Sequence, residues 1–293
     1  TGAKLPPGDT GVLRREHGHL DRGLLQGVVT PGQDVRPRGQ ECRRNEVLLP
    51  AGAVVTPAVL GLAAAAGHDR LAVHRRPTVE LLLLGDELTE SGVPGPGRVR
   101  DALGPLLPPW LAAAGAGITG RRRIGDDAAL LRDAVRRSTA DVVVTTGGTA
   151  AGPADFLHGA LADAGARLLV DGVAVRPGHP MLLAALPDGR HLVGLPGNPL
   201  AAVAGTLTLA LPLLAALSGR PAPQPRTEPA AADLPGHPED TRLVPVERTG
   251  RGVAPLRFDG PAMLRGLALA EAVAVVPPGG VPAGGRAELL DTP

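Results

Sequence analysis

Between Thr78 and Leu84 the chain reads Thr-Val-Glu-Leu-Leu-Leu-Leu, with apolar residues at neighbouring positions rather than at every second one. A β-strand sends successive side chains to opposite faces, so such a run has to be covered on both sides. Asp141-Val142-Val143-Val144-Thr145 repeats the pattern, and Val193-Gly194-Leu195 ends a third strand. Helix-like stretches separate or follow these runs. They cover residues 99–115, the amphipathic Asp127–Arg137, a segment opening near Pro153, and the Ala/Leu-rich residues 198–217. Asp at the start and Arg at the end of Asp127–Arg137 suit a helix dipole. Strands alternating with helices of this length predict βαβ units and a parallel sheet. The fold class expected is therefore α/β and multidomain, with a central parallel-sheet domain.

The flanks read differently. Residues 1–40 are rich in Gly, Pro and Arg, and Gly11-Val12-Leu13 and Gly27-Val28-Val29 suggest short strands. Glu46–Gly52 reads as a strand and turn. Thr56 as N-cap and Pro57 at the first position predict a helix to about Ala66, closed by Gly67. Ala222-Pro223-Gln224-Pro225 reads as a linker. Beyond it, Leu243–Val246, Ala272–Val276 and Ala287–Leu290 alternate with Gly and Pro and predict a small all-β region.

Composition removes several classes of function. Lys plus Arg is 30 against 29 for Asp plus Glu, a net charge of +1, so no global field draws in nucleic acid or an anionic membrane. Trp110, Phe156 and Phe258 are the only aromatic residues, too few to stack a run of bases. Cys42 stands alone, which excludes an intrachain disulfide and a Cys-rich zinc site and fits a cytoplasmic setting. No secretory signal and no apolar run of 18 residues stands out.

Four turns carry the chemistry. Thr145-Thr146-Gly147-Gly148, continuing to Gly152 and Asp155, is a strand running into a Gly-rich turn and a helix start, a setting whose amides cradle phosphate. Gly85-Asp86-Glu87 follows the Thr78–Leu84 strand. Ligands bind beyond the carboxyl ends of strands in open parallel sheets. Asp86, Glu87, Asp126 and Asp155 are therefore expected on one rim, where carboxylates beside a phosphate suit Mg2+. Arg176-Pro177-Gly178-His179-Pro180 presents two basic side chains on a rigid turn, suited to an oxyanion. Pro196-Gly197-Asn198-Pro199 is a strand-to-helix turn in which Asn198 caps the helix and Pro199 opens it.

In this order and at these separations the four turns resemble the molybdopterin molybdenumtransferase family, MoeA, which includes the C-terminal part of gephyrin. Thr1-Gly2-Ala3 with Pro6-Pro7-Gly8-Asp9, and Gly32-Gln33-Asp34-Val35-Arg36 through Gly39-Gln40-Glu41, are similar to further family segments. So are Met263-Leu264-Arg265-Gly266-Leu267-Ala268 and Pro277-Pro278-Gly279-Gly280. The resemblance implies a partial β-rich insertion domain at 1–40 and the remnant of an elongated dimerisation domain at 41–77. A molybdopterin-binding α/β domain at 78–221 and a small β-barrel at 222–293 would follow. It implies insertion of molybdate into adenylylated molybdopterin, with Mg2+-dependent pyrophosphate cleavage and AMP release. Glu87, Asp126, Asp155, Arg176 and His179 would be catalytic, and Asp86, Glu87, Asp126 and Asp155 would hold the metal. Thr1, Thr145, Thr146, Gly147, Gly148, Gly152, Pro196, Gly197, Asn198 and Pro199 would bind the pterin substrate. It also implies a homodimer for the full-length form, contacts with other enzymes of cofactor biosynthesis, and an N-terminally truncated chain here. The family's basic turn is usually Lys-Pro-Gly-Lys-Pro, so Arg176 and His179 both depart from it, and Pro261 stands where Ser is common. Two other readings remain: a non-catalytic pterin-binding scaffold, and a molybdopterin adenylyltransferase using the same α/β domain.

Overall fold

Strand β1 (Gly18–Asp21) turns through Arg22 and Gly23, at φ 47° and 83°, into β2 (Leu24–Gly27). Two left-handed residues in a two-residue loop match the right-handed twist of the paired strands. The structure, a computed structural model, describes residues 2–149, 156–221 and 226–292. It divides into two compact units, Thr1–Leu71 and Ala72–Pro293. The strands expected at Gly11–Leu13 and Gly27–Val29 are displaced to this hairpin, because Arg at a left-handed position hides the turn. In the same unit Arg14 grips Asp34 through Nε and Nη2 at 2.8 and 2.7 Å. Glu46–Gly52 is irregular and ends in a turn at Ala51-Gly52, with no strand. Helix α1 (Pro57–Ala65) follows, its Thr56 hydroxyl accepting from the Val59 amide at 3.3 Å. None of the described residues up to Leu71 is buried.

In the second unit the apolar run becomes β3 (Thr78–Leu84). A short parallel pair, β4 (Leu88–Thr89) and β5 (Val99–Arg100), then precedes α2 (Leu103–Ala113). Residues 99–102 are thus not helical, as was expected of them. Asp101 ends the extended stretch by accepting the Gly104 amide at 2.8 Å. Next come β6 (Gly117–Ile124), α3 (Ala128–Arg137), β7 (Val142–Thr146) and α4 (Leu157–Asp163). Asp127 caps α3 by accepting from Ala129 and Leu130. The helix start expected near Pro153 lies outside the described residues. After α4 the chain forms β8 (Arg167–Asp171), β9 (Val175–Arg176), β10 (Leu182–Ala185) and β11 (His191–Leu195).

The main sheet has the order β6-β3-β7-β11-β10-β8. The pairs β6·β3, β3·β7 and β7·β11 are parallel, whereas β10 runs antiparallel to both β11 and β8. The central strands are thus parallel, as the sequence pattern predicts, and β10 adds an antiparallel strand towards one edge. A long helix, α5 (Pro199–Leu217), follows β11. It is long and apolar enough by composition to cross a membrane, with mean hydropathy 2.1, a run missed from the sequence. Here it is mostly buried, and its turn Thr206–Ala210 is a π-helix. Val79, Leu81 and Leu83 of β3 pack with α2 and α5 on one face, while Leu82 packs with α3 and α4 on the other. Both faces are covered, as an apolar run requires.

The C-terminal region contributes β12 (Arg226–Pro229), β13 (Thr241–Thr249), β14 (Gly252–Pro255), α6 (Arg265–Leu269), β15 (Ala272–Val276) and β16 (Arg286–Leu290). Their sheet runs β12-β16-β15-β13-β14, and a bridge from Ala230 to Val253 brings its two ends together. Strand β9 joins this sheet, pairing in parallel with β13 through Val175↔Thr241 and Arg176↔Arg242.

The lower end of the main sheet is tied by Asp141. Its carboxylate accepts from both Arg75 Nη atoms and from the Thr78 amide and hydroxyl, each at 2.7 Å. Arg75's hydrogen bond holds the Asp141 carboxyl far below the usual carboxylate range, against a partly opposing cost of burial. A depressed carboxylate pKa stabilises the fold above the unfolded-state value near ~3.9, and that contribution is lost as pH falls further. Asp141→Asn is expected to cost about 1.5–3 kcal/mol at pH 7. Its deficit relative to the parent should shrink below about pH 4, checked by urea unfolding at both pH values.

Candidate functional site

The strands β6, β3, β7 and β11 are adjacent and parallel, so the loops leaving their carboxyl ends share one rim. Asp86 and Glu87 follow β3, Asp126 follows β6, Gly147 and Gly148 follow β7, and Pro196, Gly197 and Asn198 follow β11. The first two loops are clasped together. The Asp86 amide donates to Asp126 Oδ2 at 3.2 Å, and a Cβ on Gly125 would lie 2.9 Å from Asp86 Oδ1. Arg123 reaches back from β6, donating Nε to the Gly85 carbonyl at 3.3 Å and Nη2 to that of Asp86 at 3.0 Å. Its charge is thus set against backbone oxygens. Among the described residues no basic side chain forms an ion pair with Asp86, Glu87 or Asp126. Nor is any group of three or more His, Cys, Asp or Glu arranged to hold a metal among the described residues. Asp155, Gly152 and Thr1 lie outside them.

The loops converge at Gly147. Its amide donates to the Leu195 carbonyl at 2.8 Å, extending the β7·β11 pairing by one bond. A Cβ there would lie 3.4 Å from the Leu84 carbonyl, and one on Gly197 would lie 3.6 Å from the Gly147 Cα. Gly147 and Gly148 have φ 89° and 65°, a backbone that disfavours any residue with a Cβ. Thr145 and Thr146, just below, are buried, and Thr145 Oγ1 has no hydrogen-bond partner among the described residues.

Next to this rim is a cavity of about 400 Å3. Its walls include Arg176 and His179 from the basic turn, Asn198 from the β11 loop, and Arg242, Asp259 and Pro261 from the C-terminal region. The β9·β13 register sets Arg176 opposite Arg242. Each arginine already has a carboxylate: Arg176 Nε lies 2.7 Å from Asp240 Oδ2, and Arg242 Nη2 lies 2.6 Å from Asp259 Oδ2. The Arg176 hydrogen bond lowers the Asp240 pKa, against desolvation, and the charges of Arg176, His237 and His179 lower it further.

His179 Nδ1 lies 2.9 Å from the Val173 carbonyl. A carbonyl only accepts, so Nδ1 carries the hydrogen, and protonation would turn Nε2 into a second donor. His237 is fixed the other way: its Nδ1 accepts the Glu239 and Asp240 amides at 3.2 and 3.0 Å. Asn198 was expected to cap α5, yet its side chain makes no cap bond. The Pro261 carbonyl takes that role, accepting the Leu200 and Ala201 amides at 2.9 and 3.3 Å. The contact needs only a carbonyl, which Pro retains. The Asn198 carboxamide is left for the cavity.

Arg176, His179, Pro196 and Asn198, all candidates from the sequence, line one cavity. Arg242, Asp240 and Asp259 were not, since nothing local in the sequence links residues near 240–260 to the turn at 176. Asp240 offsets the charge that Arg176 presents, and Asn in its place can still accept the Arg176 hydrogen bond. Asp240→Asn is therefore expected to tighten binding of a divalent oxyanion such as molybdate about threefold at low salt, less at high salt, read by calorimetric titration.

Comparison with known proteins places the chain in a family. The MoeA N-terminal region (domain I and II) matches residues 1–67, a probable molybdopterin binding domain matches 80–216, and the MoeA C-terminal region (domain IV) matches 227–291. A molybdopterin molybdenumtransferase 2 of Mycobacterium tuberculosis is 33% identical over 76% of this chain and 57% of its own length. The molybdopterin molybdenumtransferase of Haemophilus influenzae is 31% identical over 75% and 55%. That of Staphylococcus epidermidis is 27% identical over 95% and 69%. The chain thus spans little more than half the length of the first two of these relatives. In fold it is similar to the molybdopterin biosynthesis MoeA protein of Pyrococcus horikosii, with a TM-score of 0.77 at 23% identity over 99% of this chain and 73% of that one. A molybdenum cofactor biosynthesis protein of Pyrococcus furiosus superposes with a TM-score of 0.66 at 19% identity, over 86% and 81%. From its first turn to its last strand, the chain belongs to the MoeA family.

Proposed function

We propose that this chain carries the molybdate-insertion site of a molybdopterin molybdenumtransferase, acting on adenylylated molybdopterin and releasing AMP. The observation that carries this reading is the union of two charge environments through the Gly147–Gly197 contact. On one side are carboxylates with no ion-pair partner among the described residues, and on the other is a cavity with Arg176 and Arg242 side by side. A pyrophosphate lying over the Gly147-Gly148 turn would have the acids on one flank and the cavity on the other. In the reaction water cleaves its P–O–P bond, giving AMP and the terminal phosphate, and molybdate gives up an oxo ligand, released as water with the two thiol protons, as molybdenum bonds to the dithiolene sulfurs.

Asp86, Glu87 and Asp126, with Asp155, have the hard oxygen donors that Mg2+ takes, and the Asp86–Asp126 clasp brings two of them together. Bound there, Mg2+ would neutralise pyrophosphate oxygens as the bond breaks. The chain's own residues do the rest. Arg123 fixes the Gly85-Asp86 backbone so that the carboxylates keep their places. Arg176 and His179 hold molybdate, and the Asn198 carboxamide offers a neutral donor beside it. In this reading residues 1–40 and 41–77 are parts of an insertion and a dimerisation domain. Residues 78–221 bind the pterin, residues 222–293 form the C-terminal barrel, and the whole protein works as a cytoplasmic homodimer.

Asp126→Asn is expected to lower the rate of AMP release from adenylylated molybdopterin at saturating molybdate by at least about tenfold, partly rescued by high Mg2+. AMP release at the parent rate would remove Asp126 from the site. A second expectation concerns His179. Its Nδ1 is taken by the Val173 carbonyl, so Nε2 is the ring nitrogen that remains to meet the anion. His179→Ala should therefore raise the half-saturating molybdate concentration for AMP release at least about threefold. An unchanged half-saturating concentration would make His179 a turn residue only.

A further inference from the structure

Phe258 is placed as no ordinary surface aromatic is. Its backbone has φ 68°, in the left-handed region that Asn or Gly occupies readily and a bulky side chain does not. The residue is 41% exposed, in a chain with one Trp, two Phe and no Tyr. The strained backbone is held from one side. A Cβ on Gly266 would lie 2.7 Å from the carbonyl oxygens of both Arg257 and Phe258, so α6 packs tightly against this loop. Arg265, one residue earlier, stands with its guanidinium carbon 4.4 Å from the centre of the Phe258 ring. Met263 is also exposed, at 47%, and its sulfur lies 3.3 Å from where a Gly260 Cβ would be. The residues immediately after Phe258, namely Asp259, Gly260 and Pro261, line the cavity that holds Arg176 and His179.

Folding alone does not require this arrangement. An aromatic ring stabilises a protein by the area it buries, and Phe258 leaves 41% of its surface exposed. A left-handed backbone is a cost for Phe that Asn would avoid, and such outliers cluster where a ligand is gripped. An exposed ring backed by a guanidinium, with a soft thioether on the same loop, has the properties of a stacking surface for a flat, polarisable heterocycle. It begins one residue from an anion-binding cavity, and a ligand carrying both phosphate and a ring would meet both.

We infer that Phe258, with Arg265 and Met263, is the stacking platform for the planar heteroaromatic ring of the cavity's ligand. This rests on the reading given above, in which the ligand is adenylylated molybdopterin. The ring is then its adenine or its pterin, which share the flat π face that Phe258 recognises.

The test is calorimetric titration of the chain with AMP and, separately, with neopterin, using the parent, Phe258→Asn and Phe258→Trp, together with the melting temperature of each. One of the two probes is expected to bind the parent, to weaken about tenfold in Phe258→Asn and to keep its affinity in Phe258→Trp. The probe that responds identifies the ring. Phe258→Asn is also expected to melt higher than the parent, because Asn is at ease at this φ. The inference is overturned if neither probe binds the parent, or if binding is unchanged in Phe258→Asn. It is overturned equally if Phe258→Asn melts lower, since Phe258 would then be a packing residue. The titration needs neither molybdate nor turnover. A protein that binds a ring through Phe258 but releases no AMP would refute the transferase reading and leave the platform standing.

Discussion

Two residues of β9 decide where the basic cavity forms. Val175 and Arg176 leave the main α/β layer and pair with Thr241 and Arg242 of the C-terminal sheet. Without that short ladder the turn at Arg176–Pro180 would be one more connection between strands of the main sheet. With it, two guanidinium groups from residues 66 positions apart in sequence become neighbours. The second tie is the Pro261 carbonyl on the first amides of α5, which brings the wall at Asp259–Pro261 against the β11 loop. Both join backbone to backbone, which fixes position more tightly than flexible side chains can.

The rim across from the cavity obeys a different constraint. There, strand ends are packed so closely that side chains are excluded from the centre. Gly147 touches the backbone of β3 and of the β11 loop at once, so the carboxylates have to come from the periphery, on the β3 and β6 loops. Arg123 shows how that periphery is kept anionic. A guanidinium beside three acids would ordinarily pair with one of them, but here it is spent on two carbonyl oxygens.

The sequence carried the central layer well, because a run such as Thr78–Leu84 can be buried in few ways and because Asp127, Thr56 and Pro57 are unambiguous at helix starts. It also brought the loops after β3, β6, β7 and β11 to one rim, which follows from strand direction alone. It did not reveal the antiparallel pair β8 and β10, whose residues are no less apolar than those of a parallel strand. Nor did it reveal the hairpin at Arg22-Gly23, where a residue without turn preference holds a left-handed backbone. Asp240, Arg242 and Asp259 were illegible for another reason. Their role depends on pairing between distant segments, and an arginine or aspartate on a β-rich surface carries no local mark of it. Phe258 is intermediate, since its rarity is visible in the sequence but its backbone conformation is not.

The two arginines of the cavity are already matched by Asp240 and Asp259. On the reading proposed above, an incoming anion would enter an occupied site and have to trade places with carboxylates tethered to the same wall. Tethered groups act at a high local concentration whatever the surrounding solution contains. A monovalent ion such as chloride offers each guanidinium no more charge than the aspartate it would displace, and less geometric fit. A tetrahedral dianion can span both guanidiniums at once and gain from each. The cavity is in this sense an ion exchanger set against abundant small anions, and the scarce doubly charged one does not have to outnumber them.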